Sequence, residues 1–93
     1  MIIGLLEIEI YLPYAHSLKE KRKTLNKIKD KIQKKYNVAL AEIDFLDKWQ
    51  RSRIGFVTLN NNKNLIVSLF NKILSDIDLA IEGEVTFHQI HLW

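Results

Sequence analysis

The chain contains no cysteine, so neither a disulfide framework nor a thiolate zinc site is available, and cysteine usage leaves the redox compartment open. Glycine is scarce, with three scattered residues, and no glycine-rich loop exists to cradle a phosphate. No stretch approaches the roughly 20 apolar residues that span a bilayer. The opening segment Met1-Ile2-Ile3-Gly4-Leu5-Leu6 meets Glu7 and Glu9 at once and lacks a basic leader or a small-residue cleavage site, so it reads as a strand. The expectation is a cytoplasmic protein with no membrane partner. No Ser/His/Asp arrangement has supporting context, and His88 and His91, three apart on an expected strand, fall on opposite faces instead of forming a ligand pair. No catalytic residue, metal site or cofactor is therefore assigned.

What is present is enough for one core. Ninety-three residues, 47% hydrophobic and 27% charged, make a folded composition and a single domain over residues 1–93. Net charge is only +3, but it is unevenly placed. Between Lys19 and Lys35 there are nine Lys or Arg against Glu20 and Asp30, which leaves +7 on that segment and −4 on the remainder. A local basic segment suits an anionic partner such as nucleic acid, and it equally suits a solvated helix face.

Periodicity supplies the elements. Ile2, Leu6, Ile8, Ile10 and Leu12 alternate with Leu5, Glu7, Glu9 and Tyr11, the period of a half-buried strand that ends at Pro13. Ser17 and Glu20 form a capping box for a helix from about Leu18 to Tyr36. Its apolar stripe is Leu18, Leu25, Ile28, Ile32 and Tyr36, with Lys19, Lys23, Lys27 and Lys34 opposite. Lys21, Arg22 and Lys29 fall at the stripe's edge, so their stems are expected to snorkel toward water or a partner. Residues 38–45 alternate again, and the small Ala39 and Ala41, with Ile43, are assigned to the helix-facing side. A connection over 46–50 leads to a third strand, Arg51 to Asn60. The Asn-rich segment 60–64 caps a second helix with the stripe Ile66, Leu69, Phe70, Ile73 and Ile77, which ends before Glu82-Gly83. In the last strand, Glu84 to Trp93, Val85 and Phe87 conflict in phase with Ile90 and Leu92, which points to a bulge or an apolar edge used in association.

The order βαββαβ is an α+β, ferredoxin-like fold, in which a four-stranded antiparallel sheet of order 4-1-3-2 carries two helices on one face. On the open face Glu7, Glu9, Glu42 and Asp44 are expected, interleaved with Arg51 and Arg53 as an ion lattice that leaves Ile54 and Phe56 for the core. Four carboxylates invite a divalent metal, but the first and second strands stand about 10 Å apart across the third.

Two motifs remain. His16-Ser17-Leu18-Lys19-Glu20-Lys21-Arg22 and Asp47-Lys48-Trp49-Gln50-Arg51 together resemble the signature of the YlxP-like family, the DUF503 domain, across essentially the whole chain. That resemblance implies the same fold, and a group of small bacterial proteins without an assigned activity whose genes tend to lie beside those of translation and ribosome maturation. In this topology both motifs fall at one end of the domain. A helix N-terminus offers free N–H groups and partial positive charge, here flanked by His16, Lys19, Lys21, Arg22 and Lys23. Trp49 is suited to stacking on a base, with Gln50 and Arg51 hydrogen-bonding phosphate or base edges. These eight residues form the candidate nucleic-acid site, and its partner would be RNA or a ribosome-associated particle. The alternatives are structural, with Asp47 pairing Arg22 or Lys21 and Trp49 covering the core, or a homo-oligomeric ligand or regulatory module, such as a homodimer, associating through sheet or edge-strand surfaces.

Overall fold

The first strand, β1 (Ile2–Tyr11), is the spine of the molecule, because its alternation gives one face wholly to the core and both its edges to neighbours. The computed structural model describes residues 1–93, with α1 (Leu18–Lys35), β2 (Ala39–Asp44), β3 (Arg51–Asn60), α2 (Lys63–Ala80) and β4 (Glu84–Leu92) following in order. β1 pairs antiparallel with β3 on one side and β4 on the other, and β2 joins the outer edge of β3. The sheet order β2-β3-β1-β4 is the ferredoxin-like arrangement.

Both helices begin on side-chain caps. Ser17 Oγ accepts from the Glu20 N–H at 3.1 Å while Glu20 reaches back to the His16 N–H at 2.8 Å, and Asn62 Oδ1 accepts from the N–H groups of Asn64 and Leu65. Between helices and sheet lie Leu6, Ile8 and Ile10 from β1, Ile54 and Phe56 from β3, Ile28 and Ile32 from α1, and Ile66, Phe70, Ile73 and Ile77 from α2, all buried. Removing each such side chain from water contributes about 1.5–3 kcal/mol. Gly4 sets how closely α2 approaches, since a Cβ there would come within 2.5 Å of Ile66 Cγ2 and 2.9 Å of the Phe70 ring.

Two irregularities decide which side chains face where. In β4 the register shifts opposite Glu9 and Ile10, so that Phe87 pairs Glu9 while Val85 pairs Ile10. The extra residue, Thr86, reconciles the conflicting phase: Val85, Ile90 and Leu92 all pack on the core, and Phe87, Gln89 and His91 share the open face. In β2 the phase is opposite to the one expected. Leu40 pairs Phe56 and Glu42 pairs Ile54, so these two face the helices, and Ala39, Ala41 and Ile43 lie on the open face. The larger Leu40 covers more core than an alanine can, and Glu42 is drawn inward by the buried ammonium of Lys21, 2.9 Å away. A second register shift, between Glu42 and Asp44, then sets Asp44 opposite Arg53.

The open face carries the ion lattice. Arg51 lies 3.5 Å from Glu9, and Arg53 lies 3.4 Å from Glu9 and 3.6 Å from Glu7, while Ile54 and Phe56 are in the core. With Glu42 on the other face, the four carboxylates do not converge.

The helices are tied together by Asp76 of α2, which accepts from the Tyr36 hydroxyl at 2.7 Å and the Lys35 ammonium at 3.1 Å. These hydrogen bonds, Tyr36's first, hold the Asp76 carboxyl below its ordinary range, and the bond to Asp76 raises Tyr36 and Lys35 above theirs. Stability from the depressed carboxyl is fully present above about pH 4 and is lost as pH falls through the folded-state value. Stability from the raised Tyr36 and Lys35 is present below about pH 10 and is lost as pH rises through theirs. The unfolding free energies of wild type and Asp76→Ala, measured by urea denaturation, should therefore differ most between about pH 5 and pH 9 and converge toward both extremes.

Candidate nucleic-acid interface

The connection between β2 and β3 crosses the end of the sheet where β1 finishes and α1 begins, so the two motifs meet. Leu12 N–H donates to Gln50 C=O at 2.8 Å, and the Gln50 side-chain amide donates to Pro13 C=O at 3.0 Å. These bonds stitch the connection to the turn before α1. A recess of about 560 Å³ opens there, lined by His16, Trp49, Gln50 and Arg51 together with Tyr11, Asp47 and Lys48. Trp49 is 54% exposed, so it does not cover the core. Gln50 is half-buried and its amide is spent on Pro13.

Lys21 is the exception among the candidate residues. Its side chain is fully buried, with Nζ 2.9 Å from Glu42 Oε2 and 2.8 Å from Phe45 C=O, and with Leu46 and Arg51 carbonyls at 3.4 Å. Ser52, also buried, donates to the same Glu42 oxygen at 2.7 Å. Lys21 is thus unavailable to a ligand, and its anion is Glu42, not Asp47. The spacing contained the signal: Leu18, Lys21, Leu25, Ile28 and Ile32 follow alternating steps of three and four, which puts Lys21 inside the core stripe and not at its edge.

This cluster shapes the recess. Phe45 has φ 60, a left-handed backbone that costs a bulky residue on the order of 1–3 kcal/mol. Its carbonyl is held by the Lys21 ammonium and by the Lys48 N–H at 3.0 Å, and its ring lies under the Arg51 guanidinium at 4.0 Å. The strained turn directs the chain so that Asp47 to Gln50 project over the end of β1. Arg51 faces both ways, lining the recess while it pairs with Glu9.

The remaining cations fan out around α1. Lys19 is exposed in the first turn, and Arg22 and Lys23 are exposed on opposite flanks. Arg22 borders a hollow with Lys29 and Glu42. Lys23 belongs to a larger groove of about 590 Å³ toward the end of α2, where Lys23, Lys27 and Lys31 stand one turn apart above Leu12, Ala15 and Ile28. Tyr14, 70% exposed, stands at this groove. Tyr11, Tyr14 and Lys31 were not among the candidates from sequence, although the four-residue spacing of the lysines and an aromatic beside Pro13 were legible there.

A family model described as "Protein of unknown function (DUF503)" matches residues 3–90. The chain belongs to the DUF503 family. A Bacillus subtilis (strain 168) relative, "Uncharacterized protein YlxP", is 35% identical over 85 residues, which cover 91% of this chain and 92% of the relative. Among solved structures, the de novo designed protein Ferredog-Diesel aligns with a TM-score of 0.53 at 15% identity, covering 96% of this chain and 83% of the design. That likeness concerns the fold alone. For this DUF503 domain both motifs belong to one end of the molecule, with Lys21 as their buried link.

Replacing Lys21 by Met should cost about 3 kcal/mol in urea denaturation, because Glu42 is left mostly buried without its cation. Ser17→Ala should cost about 1 kcal/mol by the same measurement, from the orphaned Glu20 N–H.

Proposed function

We propose that this DUF503 protein is a non-enzymatic accessory protein that binds RNA, free or within a ribonucleoprotein particle such as the ribosome. The observation that carries the reading is the exposed Trp49 in an open recess with His16 and Arg51, beside the start of a helix whose outer surface is lysine-rich. An exposed indole next to cations matches a nucleotide in two parts: the ring stacks on the base, and the cations take the phosphates. Lys19 and Lys23 continue the positive surface from the recess, and Lys27 and Lys31 extend it along the groove. Arg22 lies on the opposite flank, at the separate hollow with Lys29 and Glu42, and contributes to the field without lining the recess or the groove. No helix is long and apolar enough to cross a membrane.

Fluorescence anisotropy with structured and single-stranded RNA across a salt series tests the proposal. Wild-type affinity should fall steeply with salt, and Lys19→Ala with Lys23→Ala should weaken binding and flatten the slope by about one counterion for each phosphate that is no longer neutralised. Trp49→Ala should cost about 1–3 kcal/mol with the slope little changed. Absence of binding at low salt to every RNA tested and to intact ribosomes would refute the proposal.

A further inference from the structure

The two edges of the sheet are built differently. β2 is short, carries Glu42 and Asp44, and is bent by its register shift. β4 is nine residues long, and from Val85 to Leu92 it holds no Lys, Arg, Asp, Glu or Pro, although 27% of the chain is charged. Charges, prolines and bulges are the usual means of keeping a sheet edge from pairing with another chain. The bulge of β4 lies near its start, and residues 87–92 beyond it are regular.

The backbone alternation of this edge is fixed. Ile3 and Trp93 exchange both hydrogen bonds, each at 2.9 Å, and bonded and non-bonded pairs alternate along an antiparallel ladder. His91, Gln89 and Phe87, opposite Leu5, Glu7 and Glu9, therefore turn their N–H and C=O groups toward β1. Leu92, Ile90 and His88 turn theirs to the open edge.

We infer that this edge binds a second copy of the chain, antiparallel about a two-fold axis through Ile90. In that register Ile90 faces its own counterpart and His88 faces Leu92 of the partner subunit, so each outward-turned residue exchanges a pair of backbone hydrogen bonds. The side chains agree. On the open face Phe87, 37% exposed, meets Trp93 of the partner subunit, and this aromatic contact occurs twice. The strip from Val85 to Leu92 opposes no charge to a like charge, and the basic surface belongs to α1, whereas α2 is the helix packed on β4. A strip one strand wide buries less than the roughly 800 Å² per partner of a standard interface. Dimerisation is consequently weak, with dissociation on the order of micromolar. The inference is independent of RNA binding.

Sedimentation equilibrium from about 1 μM to 1 mM should show the mass rising from one chain to two. His88→Pro removes an outward N–H and leaves the β1 ladder intact, so it should shift dimerisation at least about tenfold to higher concentration with unchanged circular dichroism. Because the chain lacks cysteine, Ile90→Cys reports the register: opposed Cα atoms stand about 5.5 Å apart, within disulfide reach. Oxidation should give a covalent dimer of this variant and none of Leu59→Cys on the open face. If Ile90→Cys does not fold, Gln89→Cys with His91→Cys, both away from the core, reads the same register. A monomer at every concentration, a dimer indifferent to His88→Pro, or crosslinking through Leu59→Cys would each overturn the inference.

Discussion

The buried ammonium of Lys21 is the constraint around which this end of the molecule is arranged. A cation taken wholly out of water carries a desolvation penalty of several kcal/mol unless its hydrogens are matched, and here they are matched by Glu42 and by carbonyls of the β2–β3 connection. Each partner is displaced from what its own sequence neighbourhood would select. Glu42 turns to the helix side of a strand whose alanines would suit that side, and Phe45 accepts a left-handed backbone. A hydrophobic residue at position 21 would fill the volume but would leave the turn's inward carbonyls unpaired. The ion pair is therefore better understood as fixing the path of the connection than as a source of net stability.

From that path follows the presentation of Trp49. With the carbonyls of residues 45 and 46 held from below, the next residues cross over β1, where Gln50 is tied to Pro13 and Arg51 is held by Glu9 and the Phe45 ring. What remains untethered at the rim is the indole and the His16 ring, with Lys19 exposed nearby in the first turn of α1. The edge of β4 lies elsewhere. Antiparallel pairing through it would send the two recesses of a dimer to opposite ends, so neither surface obstructs the other.

Much of the fold was legible because most strands and helices bury one face by simple periodicity. β1 and both helix caps needed only local pattern, whereas sending Ile54 and Phe56 to the core needed Arg51 and Arg53 to be turned outward to carboxylates of a neighbouring strand. Even the conflict between Val85, Phe87, Ile90 and Leu92 announced a bulge, though not that Thr86 would be the inserted residue. The phase of β2 was not legible, because small residues carry little phase information and the deciding interaction is a long-range pair with Lys21, whose place in the α1 stripe does not say which strand supplies its anion. The candidate site was legible as a meeting of two motifs. It was less so in detail: the three-and-four spacing sets Lys21 in the core stripe beside exposed Arg22, but it does not reveal the carboxylate and carbonyls that make burial of an ammonium possible.

Nuclear magnetic resonance of the lysine side chains in the ¹⁵N-labelled wild-type protein tests the role of Lys21 most directly. Of the eleven lysines, the Lys21 ammonium should give slowly exchanging protons close to the Phe45 and Ser52 side of the connection, while the exposed lysines exchange rapidly. Rapid exchange at Lys21, with its side chain distant from residues 45–52, would contradict a buried clamp and remove the physical basis for the presentation of Trp49.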